Sequence, residues 1–74
     1  MKKMIDVICL MSQGKVFPKN IVWENGQLYK IDKVIDVKKM ASTKAGGFGV
    51  RYEVMINNQT RYLFLDEYTW FVES

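Results

Sequence analysis

Catalysis at neutral pH needs a side chain that can take or give a proton, and this chain contains no histidine. The commonest general base and the usual activator of a nucleophile are therefore missing. Cys9 is the single thiol, and it stands inside the apolar run from Met4 to Met11, where a thiol is desolvated, protonated and inert. The carboxylates are Asp6, Glu24, Asp32, Asp36, Glu53, Asp66, Glu67 and Glu73. Asp32 and Asp36 could share a face and Asp66 adjoins Glu67, but neither grouping has the flanking pattern of a calcium loop or the setting of a catalytic acid–base pair. One cysteine without histidine also cannot supply a Cys/His metal site. The residue types point to a non-enzymatic protein with no metal or cofactor.

The remaining candidate is the stretch STKAGGFGVRY, Ser42 to Tyr52. A phosphate cradle uses glycines so that successive backbone N–H groups converge on an anion, usually ahead of a helix N-terminus. Here Lys44 precedes Gly46, Gly47 and Gly49, the spacing matches neither common fingerprint, and a strand-like run follows. The glycines are read as suppliers of positive φ in a wide turn or bulge. Phe48, between them, either folds back on the protein or touches a ligand. Lys38, Lys39 and Lys44 approach this loop and Arg51 leaves it, with Arg61 on the next strand along. Basic grooves with aromatic platforms bind single-stranded nucleic acid, and Phe48, Tyr52, Tyr62 and Trp23 are the candidate platforms. The expected ligand site is Lys38, Lys39, Lys44, Phe48, Arg51 and Arg61, and the expected partner is nucleic acid or an acidic protein. A net charge of +3 is well short of a protein that coats DNA. No small-molecule substrate is inferred.

These residues must be held by strands. Gly and Asn recur at short intervals with β-branched and aromatic residues between them, which predicts an all-β domain. The first strand, Met4 to Met11, has Ile5, Val7, Cys9 and Met11 on one face and Ile8 and Leu10 on the other. Pro18 is expected to keep the following segment out of a central position. Asn20 to Trp23 leads into Asn25-Gly26, a strong hairpin signal. Leu28 to Met40 reads as a long third strand, in which either Lys33 points inward so that Ile35 and Val37 keep phase with Tyr29 and Ile31, or a bulge near Asp32-Lys33 instead turns Val34 inward. A helix over 32–41, from Val34, Val37 and Ala41 at spacings of three and four, competes with it. Val50, Tyr52, Val54 and Ile56 alternate with Arg51, Glu53 and Met55 as a half-buried strand. Asn57-Asn58-Gln59 turns that strand into Thr60 to Asp66, and Trp70 to Val72 closes the chain.

Such strands cannot lie as one flat sheet without exposing an apolar face. The expected fold is a single domain, residues 1–74: a small, strongly bent barrel of about five to six antiparallel strands, SH3-like or, as second choice, OB-like. The segments WENGQLYKIDKV, KAGGFGVRYEV and YLF with WFVE together resemble small, uncharacterised single-domain proteins of low-GC Gram-positive bacteria. The resemblance implies a compact β-barrel over nearly the whole chain. It implies no activity and transfers no functional residue.

The lone thiol suits a reducing compartment, so a cytoplasmic location is expected. The Met4 to Met11 run contains Asp6 and is far shorter than the roughly 20 residues of a membrane span, so no membrane partner is expected. As an alternative function, Ile8, Leu10, Leu63, Leu65 and Phe71 are expected on the outer face, where a contiguous apolar set would mark a protein contact or a homodimer. A slip of one residue on any strand would exchange its two faces.

Overall fold

A computed structural model describes residues 2–41 and 48–73. These form seven antiparallel strands: β1 (Lys2–Ser12), β2 (Lys15–Val22), β3 (Leu28–Lys30), β4 (Lys33–Ala41), β5 (Phe48–Ile56), β6 (Gln59–Asp66) and β7 (Thr69–Glu73). No helix occurs among the described residues, so the strand reading holds over Lys33–Ala41 and the competing helix does not form. The sheet order is β3-β2-β1-β7-β6-β5-β4, curled into a half-barrel.

Local chemistry sets the turns. Ser12 pairs with Lys15, Ile56 with Gln59 and Asp66 with Thr69, leaving two-residue hairpin loops. Gln13 and Gly14, and Asn57 and Asn58, all take positive φ, the backbone whose twist matches the flanking strands. At the Asn25-Gly26 turn Gly26 has φ +82°, and the amide of Gln27 donates to Asn25 Oδ1 at 2.9 Å.

The long third strand exists, but two residues divide it. Ile31 N donates to Lys19 O on β2, and the next amide, Asp32 N, donates to Met55 O on β5. Two successive amides thus bond to β2 on one side and β5 on the other, which is why seven strands are counted where about five to six were expected. A bulge between Val34 and Asp36 follows, with Val34 packed on the core and Ile35 exposed. Asp32 has a structural duty here, since its carboxylate accepts from Asn57 N at 3.2 Å and steadies the β5–β6 turn.

Pro18 departs from expectation. It lies within β2, opposite Cys9 and buried, where the β1–β2 register shifts. β3 pairs only with Asn20 to Val22, so β2 is locally an edge at Pro18, and the bulge absorbs the missing N–H donor.

Ile5, Ile21, Ile31, Tyr52, Val54, Ile56, Leu63, Trp70 and Val72 form the core. Tyr52 and Trp70 stack at 5.3 Å between centroids, tilted by 42°. Tyr52 Oη donates to Val16 O at 3.0 Å, crossing the interior from β5 to β2. Leu63 and Leu65, expected outside, point inward: Leu63 is 0% exposed and Leu65 packs on the core. The reason is register, because Leu63 lies opposite Tyr52 and Val72, and opposite residues share a face. Ile8 and Leu10 are exposed as expected. Phe71 shares the outer face with them but is only 7% exposed, set between Met4 of β1 and Phe64 of β6.

Candidate functional site

The six residues expected to form one basic site are not brought together. Lys38 and Arg51 face each other on the convex side of the β4–β5 pair, and the Arg51 guanidinium lies over the Tyr62 ring at 4.9 Å. Lys39 lies opposite Val50, which packs on the core, and so belongs to the concave side. Arg61 lies opposite the fully buried Val54 and is also concave. Lys44, Gly46 and Gly47 lie outside the described residues, as does the side chain of Phe48. The cations therefore diverge to opposite faces of one sheet. An acidic row, Asp36 opposite Glu53, further interrupts the convex patch.

The half-barrel does form a concave site elsewhere. Near the turns that follow β2 and β5, a cleft of about 660 Å³ is lined by Ile21, Trp23, Tyr29, Ile56, Asn57, Gln59, Arg61 and Val72. That volume falls within the roughly 300–1,000 Å³ common for ligand sites. Its floor is aliphatic, two of its walls are aromatic, and its polar groups come from the start of β6 and the turn before it.

Strand geometry explains the placement. Ile21 pairs with Tyr29 across the β2–β3 hairpin, so Trp23 and Tyr29 stand on the two arms of the Asn25-Gly26 turn. Tyr29 Oη donates to Gln27 Oε1 at 3.2 Å, which fixes the phenol tip. Across the cleft, Arg61 donates through Nη2 to Gln59 Oε1 and through Nη1 to the Thr60 carbonyl at 3.3 Å. Both contacts are local and exposed, leaving guanidinium donors available for an anion. Beside Trp23, the Lys3 ammonium lies 5.2 Å from the ring centroid and is ion-paired with Glu24 Oε2 at 2.7 Å, so it adds no net charge there.

Arg61 and Trp23 were legible as candidates, but Tyr29, Asn57 and Gln59 were not singled out. The signal for Tyr29 was present, in that two rings bracket a tight Asn-Gly turn. Gln59 and Asn57 join the site only because the sheet curls until β6 faces β3.

Cys9 is half-buried against the core. Burial pushes its thiol above the ordinary value, partly offset by a hydrogen bond from Trp70. Burial also raises the Tyr52 phenol, with the neighbouring Cys9 adding to the shift. A thiol raised in this way carries little thiolate at neutral pH and is a poor nucleophile. Among the described residues no helix is long and apolar enough to cross a membrane. Comparison with protein-family models, curated proteins and solved structures finds no match to this chain.

Proposed function

We propose that this protein is a non-enzymatic binding module whose ligand site is the concave cleft of the half-barrel, and that the ligand is a short single-stranded stretch of nucleic acid. The observation that carries this reading is the presence of Trp23, Tyr29 and the Arg61 guanidinium in one cleft. Aromatic faces stack bases regardless of sequence, while a nearby cation meets the phosphate. The net charge of +3 acts in the same direction. A cytoplasmic location, where the Cys9 thiol stays reduced, belongs to the same reading.

Fluorescence anisotropy of a labelled oligothymidylate tests it. The expected result is binding that weakens with salt, by roughly 0.7 log unit per tenfold rise in salt for each phosphate contacted. Arg61→Gln is expected to remove about one such contact, and Tyr29→Ala to weaken binding by about 1–3 kcal/mol for a lost stack. Absence of binding at low salt, or equal binding by Arg61→Gln, overturns the proposal.

A second reading is supported by the convex face, where Met4, Ile8, Leu10 and Phe17 are exposed on two neighbouring strands. Scattered apolar residues need no explanation, but adjoining ones mark a protein contact. Leu10→Lys, a change at an exposed site, is expected to abolish such a contact without lowering the melting temperature.

A further inference from the structure

β4 is a nine-residue edge strand, paired with β5 on one side and with no strand on the other among the described residues. The opposite edge of the sheet, β3, is only three residues long. A long edge is a row of unmet backbone donors and acceptors, which proteins usually shorten, cover or charge. Here Ile35, Val37 and Met40 are all exposed along it, Val37 by 52%.

The charges on β4 are arranged against its own neighbour. Asp36 lies opposite Glu53 and Lys38 opposite Arg51, and like charges directly opposite each other are unfavourable. Unlike charges stand only on the diagonals, and among the described residues no ion pair joins these four side chains. A strand with unlike charges in the right order would relieve both rows.

We propose that this strand is β4 of a second copy, running antiparallel about a two-fold axis at Val37. In that register Val37 meets Val37 of the other copy, Asp36 meets its Lys38, and Lys38 meets its Asp36. The axis stands perpendicular to the sheet, so convex residues meet convex residues and the register can shift only in steps that centre the axis on another residue. Centring on Asp36 opposes two aspartates, and centring on Lys38 opposes two lysines. Val37 is the one centre of the three that pairs unlike charges. The bulge between Val34 and Asp36 limits the regular pairing about this axis to Asp36–Lys38 of each copy, with Lys39 and Met40 opposite the bulge of the other. Because the contact is two-fold, it closes at a dimer and cannot propagate.

Sedimentation equilibrium of the full chain, from micromolar to submillimolar concentration, tests this. A reversible dimer is expected. Lys38→Asp and Asp36→Lys each turn two unlike pairs into like ones at the interface and should weaken dimerisation about tenfold. The double variant Asp36→Lys/Lys38→Asp restores unlike pairing and should dimerise as the native chain does. Within each protomer these changes place an opposite charge across from Glu53 or Arg51, so a melting temperature at or above the native value shows that lost dimerisation is not lost folding. A monomer throughout the range, assemblies larger than a dimer, single variants with native affinity, or a double variant that stays weak would each overturn the proposal. So would a dimer indifferent to these charges but abolished by Leu10→Lys, which would assign the contact to the convex face.

Discussion

Replacing Leu63 by alanine tests the orientation of β6, on which the core and the cleft both depend. Leu63 is 0% exposed and sits between Tyr52 of β5 and Val72 of β7. The substitution removes three buried carbons, worth about 0.8 kcal/mol each in transfer free energy, or roughly 2.4 kcal/mol. A residual cavity adds about 1 kcal/mol, since a core this thin can partly collapse. The expected loss is therefore about 3 kcal/mol. A chain of 74 residues holds roughly 4–11 kcal/mol in total, so the variant should be marginal. At about 4–8 °C per kcal/mol for a domain of this size, melting should fall by roughly 12–24 °C. Urea denaturation followed by tryptophan fluorescence measures it, with an unchanged slope expected if the unfolded state is unaffected. Leu10→Ala is the control: Leu10 is 52% exposed on the convex face, and its loss should cost less than about 0.5 kcal/mol. If Leu63→Ala were silent and Leu10→Ala cost more than about 2 kcal/mol, the two faces of the sheet would be exchanged and the reasoning would collapse.

Tyr52→Phe deletes the side-chain hydrogen bond from β5 to Val16 O on β2 and should cost about 0.5–1.5 kcal/mol by chemical denaturation. Stability should also fall in alkali: the Cys9 and Tyr52 groups are both raised on folding, so the unfolded chain ionises first. Their contribution is full below the unfolded thiol value of about 8.5 and is lost as pH rises through the folded values; a melting temperature flat from pH 8 to 11 would contradict this. Cys9 should react with a disulfide reagent more slowly at neutral pH than an unstructured thiol, and urea should restore the rate. Glu67 holds a φ of +57° at the first position of its hairpin loop, so Glu67→Gly should stabilise the fold by about 0.5 kcal/mol, read as a rise in the denaturation midpoint.

What could be read without a structure was the local part. Period-two alternation from Val50 to Ile56 identified β5 and its buried face, because that pattern depends only on side chains alternating across a strand. Asn25-Gly26 and Asn57-Asn58 marked turns because few other residues accept positive φ. A break in hydrophobic phase after Ile31 was visible, but only the pairing of Val34 with the buried Val54 decided that Val34 rather than Lys33 turns inward. The face of β6 was not readable, because Thr60 to Asp66 carries large apolar residues on both sides, with Tyr62 and Phe64 alternating with Leu63 and Leu65. Only pairing with Tyr52 and Val72 decided which pair went inside. The separation of Lys38 and Arg51 from Arg61 had the same origin. Charge counts carry no record of face, and the curl that joins β2 to β5 through Ile31–Asp32 is a property of the closed sheet alone. Local backbone preference wrote the strands and turns; long-range pairing chose which side chains meet.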